Sequence, residues 1–271
     1  MTDNLPAIQR WALIPTAQEA PEALGEEGFE RLVAAIEARE VGALLWSYEA
    51  EALERVAAVH AATGVPICPI VPNMATYARD TRDKGFVGAA LARLLALPVC
   101  DIARVALGAI PAARDVLTKD FATGVCILAE MELARFRRFD PVAAFLNNQI
   151  GDLALAFDHA RLFERFAHLS RGRYGFEAGF ITYNFGHLAP RLSQWGIAPG
   201  RLVAPFNPKG YLMYPDRAAC EGAAAVFAPL LVASHPDAGQ TVDAAASDRY
   251  LSGLNIGRSI APWDSRGEAA G

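Results

Sequence analysis

The chain has 271 residues, 53% of them hydrophobic and 20% charged, and its 25 Lys and Arg against 30 Asp and Glu leave a net charge of −5. That balance excludes a disordered or fibrous chain. A domain of this size buries about 75% of the surface its unfolded chain exposes, so no disulfide or structural metal is needed to hold it folded.

The cations are spread along a mildly acidic chain of pI about 5.6, without the basic stripe that neutralises a phosphate backbone, so no nucleic-acid partner is expected. Cys68, Cys100, Cys126 and Cys220 are far apart, and no pair has zinc-ligand or redox-motif spacing. They read as free thiols of a reducing cytoplasm. Residues 1–10 carry Asp3 and Pro6 without an apolar core, and nowhere do about eighteen apolar residues run together, so neither export nor membrane insertion is expected.

Short apolar runs flanked by Gly, Pro or Asn alternate with helical stretches, the pattern of βα units around a parallel sheet. In chain order the predicted strands are Trp11–Thr16, Val41–Ser47, Pro66–Pro72, Gly124–Glu130, Gly179–Asn184, Leu202–Asn207, Pro229–His235 and Leu254–Ile260. Their near-continuous apolarity fits strands covered on both faces. The predicted helices are Glu27–Arg39, Glu49–Ala62, Lys84–Leu97, Ile102–Leu117, a long region from Pro141 to Ser170, Leu188–Trp195, Asp216–Phe227 and Thr241–Leu251. Asp152–Phe157 reads as helix or as a ninth strand; without a strong internal breaker, helix is the more economical assignment.

Eight such units define a single-domain (βα)8 TIM barrel spanning residues 1–271, with a Gly/Ala-rich tail after about residue 263 expected to be flexible. An open doubly wound α/β sheet is the alternative, but the first strand lacks the glycine fingerprint of a dinucleotide site. The polar stretch Asn73–Asp83 after the third strand reads as a solvated loop or as a flap over the mouth.

In this architecture the carboxyl ends of the strands converge on one face, so their polar residues become candidates. They include Ser47, Glu49, Asn73, Glu130, Glu132, Asn184, His187, Asn207, Lys209, Ser234, His235, Asp237, Arg258 and Ser259. Lys209, between Pro208 and Gly210 and close to Phe206 and Tyr211, is a candidate nucleophile, because a partly desolvated amine deprotonates more readily and can attack a carbonyl. Glu130 is the candidate general acid or base. Asn184, Asn207 and His235 would orient a substrate, and Gly257, Arg258 and Ser259 would hold an anionic group. No cofactor is required by this reading. A divalent ion is the alternative, with Glu130, His187, His235 and Asp237 as its ligands, although no HxH or HExxH spacing supports it.

The strand-six lysine Lys209 and the Gly257–Arg258 ending resemble the layout of class I aldolases of the TIM-barrel kind. That resemblance implies a Schiff base at Lys209 and a phosphate held by the closing strand. Ala204–Pro215 with Leu128–Leu133 is also similar to prokaryotic barrel proteins, which implies the fold and no activity. The leading expectation is therefore a carbon–carbon lyase acting on a small, anionic carbonyl compound. A metal-dependent sugar isomerase or hydrolase and a non-catalytic binding barrel are the alternatives. Trp195, Tyr211 and Tyr214 would line either the mouth or an interface between copies of the chain.

Overall fold

The computed structural model describes residues 8–14, 25–74, 77, 95, 101, 102, 105 and 120–262. Apart from Leu95, Ile102 and Val105, the predicted helices at 84–97 and 102–117 lie outside the described residues, as do most of the polar stretch 73–83 and the tail after 263.

Eight parallel strands close into a barrel in chain order: β1 (Gln9–Leu13), β2 (Val41–Trp46), β3 (Ile67–Val71), β4 (Ala143–Leu146), β5 (Glu177–Ile181), β6 (Arg201–Pro205), β7 (Leu231–Ser234) and β8 (Arg258–Pro262). Closure is explicit in the register, where β1 pairs with β8 from Gln9 opposite Arg258 to Leu13 opposite Pro262. The fold is thus the (βα)8 barrel and not the open sheet. Among the described residues, the surrounding helices are α1 (Glu26–Glu37), α2 (Leu53–Thr63), α3 (Phe121–Phe136), α4 (Asn148–Ala156), α5 (Ala160–His168), α6 (Phe185–Trp195), α7 (Arg217–Phe227) and α8 (Ala244–Gly253).

The barrel is filled by inward side chains, including Trp11, Leu45, Phe145, Val203, Val232 and Ile260. Trp11 meets Phe145 edge-on with ring centroids 6.2 Å apart, a geometry that sets a positive ring edge against a negative face. Phe145 has room because its partner across the β4–β5 pair is Gly179, where a Cβ would lie 2.4 Å from the phenyl ring. The outward side chains of the same strands, such as Leu146, Phe180, Leu202 and Ala204, join the larger core beneath the helices. Both faces are buried, so alternation is invisible in the sequence.

Two predicted strands need correction. Gly124–Glu130 is the middle of α3, a helix of 16 residues that is buried over most of its length. A continuous apolar run cannot distinguish a buried strand from a buried helix. The deciding signal was upstream: the Asp120 carboxylate caps the helix by accepting from the Thr123 backbone N–H at 2.8 Å and its hydroxyl at 2.6 Å. The true fourth strand is Ala143–Leu146, inside the region predicted as one long helix, which also contains α4, α5 and the start of a π-helical turn at Leu169–Tyr174. Asp152–Phe157 is helical through Ala156, as the more economical assignment had it.

The last strand is displaced as well. Leu254–Gly257 closes off α8, and β8 begins at Arg258. A shift of four residues moves Gly257, Arg258 and Ser259 from the mouth to the opposite end of the barrel.

Candidate active site

All eight strands point the same way, so their carboxyl ends surround one opening, a cavity of about 620 Å³. Its floor is apolar, with Ile14, Leu45, Ile70, Ile181, Val203 and Ile260. Above the floor stands a polar ring. Ser47 and Asn73 come from the loops after β2 and β3; Asn147, Asn148 and Gln149 follow β4; Thr182 and Tyr183 follow β5; Ser234, His235, Asp237 and Gln240 come from β7 and its loop. Among the described residues, neither lysine nor arginine lines this cavity.

The ring is held by the backbone around it. Asn73 donates its side-chain amide to the Tyr48 carbonyl at 3.0 Å, while its N–H donates to both oxygens of Glu132 at 3.1 Å. The α3 carboxylate therefore reaches through the helix layer to fix the end of β3. Asn147 caps α4 by accepting from the Gln149 N–H at 2.9 Å. Asp152, on α4, accepts from the Tyr183 N–H at 3.1 Å and from the Thr182 hydroxyl. Burial pushes the Asp152 carboxyl up from the usual carboxylate range, against the lowering effect of those hydrogen bonds.

His235 lies between two tyrosines, its ring centroid 5.8 Å from that of Tyr183 and 6.2 Å from that of Tyr211. Burial pushes its pKa down, partly offset by the charge of Asp237, so the imidazole is neutral at pH 7. Its Nδ1 is buried without a hydrogen-bond partner among the described residues. The backbone here is also unusual: His235, Ala238 and Gln240 have φ of 50°, 49° and 65°, and Gly239 between them has φ of 71°. Non-glycine residues held left-handed cost about 1–3 kcal/mol each and concentrate at functional sites. Asp237 holds the turn by accepting from the N–H groups of Gly239 and Gln240, at 3.3 and 3.0 Å.

Of the residues singled out from sequence, the mouth brings together Ser47, Asn73, Ser234, His235 and Asp237. Asn207 is fully buried outside the lining, with its amide donating to the carbonyls of Tyr211 and His235 at 2.9 and 3.2 Å. Lys209 is exposed on the loop after β6 and does not line the cavity. Asn184 and His187 border a second cavity beside the mouth.

Glu130 is placed on α3, not at a strand end. It sits in the helix layer, 2.6 Å from Arg173, beside a groove of about 390 Å³. Gly257 and Arg258 stand at the amino-terminal end of the barrel, where the guanidinium donates to the Pro229 carbonyl at 2.9 Å. Ser259 is fully buried at that same end, against Arg10, which also pairs with Asp248 at 2.7 Å. The alternative metal ligands do not converge; among the described residues, no three His, Cys, Asp or Glu side chains form a metal-holding group.

Sequence reasoning missed Asn147, Asn148 and Gln149 because β4 was misplaced. With the strand at Ala143–Leu146, three consecutive amide side chains directly after it would have stood out. Comparison with family models, with curated proteins and with solved structures finds no match for this chain. Fold and site alone define its class: a (βα)8 barrel whose mouth is lined with amides, hydroxyls and aromatic rings. Among the described residues, no helix is long and apolar enough to cross a membrane.

Proposed function

We propose that this barrel binds a small, uncharged, hydroxyl-rich molecule in its mouth and exchanges a proton with it through His235. The observation that carries the reading is the lining, amide and hydroxyl side chains above an aliphatic floor with no lysine or arginine among the described residues. Each ligand hydroxyl is both donor and acceptor, and an Asn or Gln side chain offers both in one plane. Aliphatic and aromatic walls suit the C–H faces of a sugar or polyol. The cavity volume lies within the about 300–1,000 Å³ range of ligand pockets.

His235 supplies the acid–base group. A neutral imidazole at pH 7 can accept a proton, and the neighbouring Asp237 charge favours the imidazolium that results. Isomerisation of a carbonyl sugar, in which the base moves the proton on the carbon next to the carbonyl, and retro-aldol cleavage between its α and β carbons, in which the base takes the β-hydroxyl proton, both use such a transfer. The covalent lyase reading draws less support, because Lys209 lies outside the lining and Arg258 and Ser259 occupy the far end of the barrel.

Calorimetric titration with glucose, xylose, ribose and mannitol, alongside glucose 6-phosphate and ribose 5-phosphate, tests this. At least one neutral compound should bind, with its phosphate ester no tighter. Binding restricted to the phosphate esters, or a borohydride-trapped adduct on Lys209, would overturn the reading. For any compound that is turned over, His235→Gln should lower kcat by about 10²–10⁴-fold. Binding without turnover across all the neutral ligands that bind would leave a binding barrel and remove the role of His235.

A further inference from the structure

Beside the mouth lies a second cavity, of about 530 Å³, bordered by Asp152, Asn184, His187, Arg191, Gln194 and Tyr214. The two cavities share a wall. Thr182 and Tyr183 face the mouth, while Asp152, which accepts hydrogen bonds from both, faces the outer cavity. Tyr214 is tied to the same wall, since its N–H donates to the Tyr183 carbonyl at 3.3 Å and its carbonyl accepts from the Gly186 N–H at 3.2 Å.

Aromatic rings run along this path. Tyr211, His235 and Tyr183 are in successive ring contact at the mouth, and Tyr214 pairs with His187 in the outer cavity at 5.4 Å. The three tyrosines are 46%, 37% and 54% exposed for Tyr211, Tyr183 and Tyr214. Two of these rings, Tyr211 and Tyr183, flank His235 side by side, so their exposed faces adjoin and are not scattered singly. A tyrosine presents an apolar face with a polar tip, which suits the alternating C–H and O–H surface of a pyranose. The outer cavity also repeats the amide lining of the mouth through Asn184 and Gln194. Its one arginine among the described lining residues is engaged, with Arg191 donating to Gln194 at 2.9 Å and pairing with Asp158 at 3.5 Å.

From this shared wall we infer that the outer cavity is a second sugar subsite, so that the ligand is a chain of at least two glycosyl units lying across Tyr183. The inference rests on the proposed neutral ligand of the mouth and extends it to an oligosaccharide.

The test is binding of glucose, cellobiose and cellotetraose, with the matching xylose, mannose and N-acetylglucosamine series, to the full chain and to the Tyr214→Ala and His187→Ala variants. Both side chains are exposed, and circular dichroism checks that each variant folds. In at least one series the tetramer should bind ten or more times tighter than the monomer. Each substitution should weaken the tetramer at least fivefold more than the monomer. Monomer binding with no gain on lengthening would overturn the second subsite and leave the mouth reading standing. A gain that survives both substitutions would also overturn it. Absence of binding by every sugar would overturn the subsite; a neutral polyol still binding would then separate its failure from that of the mouth.

Discussion

The side-chain amide of Asn207 donates to the carbonyl of His235 across 3.2 Å, joining the loop after β6 to the loop after β7. Its second donor contact goes to the Tyr211 carbonyl at 2.9 Å, and its oxygen accepts from the Tyr211 N–H at 2.8 Å. One buried residue thus places two of the rings that frame the mouth.

Asn207→Ala should leave those backbone groups unsatisfied and lower stability by on the order of 3 kcal/mol, since each stranded group costs about 1–3 kcal/mol and some regain water. Urea unfolding measures the loss. A change below about 0.5 kcal/mol would show that the two loops are held by other contacts.

His235 makes stability depend on pH with a definite sign. Its folded pKa is depressed below the ordinary value of about 6.5, mainly by burial, so the unfolded chain binds the proton more readily. Its contribution is intact above the unfolded pKa and is lost as pH falls from there through the folded pKa. His235→Gln should therefore flatten the wild-type decline between pH 7 and pH 5. Chemical denaturation at several pH values checks this, and parallel curves for the two proteins would refute it.

The difference between what could and could not be read from the sequence turns on particular residues. Trp46, Val71 and Phe180 stand in runs bounded by turn residues, and that signal places seven of the eight strands to within a few residues. Alanine-rich Ala143–Leu146 is only four residues long, too short to compete with the apolar run Val125–Ala129 inside the sixteen-residue helix α3. That exchange put Glu130 at an imagined strand end and hid Asn147–Gln149. For the last strand the composition marks a strand but not where it starts, and in a parallel barrel a four-residue shift carries Arg258 from one end to the other.

Glu130→Gln should act on the helix layer and spare the mouth. The carboxylate is buried against Arg173, with the Tyr174 hydroxyl donating to it at 3.5 Å. Because Arg173 retains some access to water, the expected loss is about 1–3 kcal/mol, less than for a fully enclosed pair. Affinity for a mouth ligand should change less than twofold by calorimetry. A large loss of affinity at unchanged stability would return Glu130 to the list of site residues.

Burial pushes the thiol of Cys68 up to about 11 and that of Cys126 up to about 12. Thiolate is the reactive form, so both should resist iodoacetamide at pH 8 in the native protein and react on unfolding. Peptide mapping by mass spectrometry reads this out, and rapid native labelling at Cys68 would mean that the barrel interior opens.

Gly179→Ala is predicted to be costly although it adds a single methyl group. The new Cβ would fall 2.4 Å from the Phe145 ring in the barrel interior, and overpacking of this kind costs about 1–3 kcal/mol. Combining it with Phe145→Leu should recover part of the loss. Thermal unfolding of the single and double variants tests the pairing, and additive losses would show that the two sites are independent.

The left-handed turn from His235 to Gln240 sets a direction for laboratory evolution. Glycine at Ala238 or Gln240 would relieve roughly 1–2 kcal/mol of backbone strain apiece, so selection for heat tolerance alone would find inexpensive gains there. The hardened descendants would also hold the imidazole less firmly. Under the role proposed for His235, thermal robustness and proton transfer should then trade against each other at this corner of the barrel, while substitutions around Arg10 and Asp248 at the other end escape that conflict.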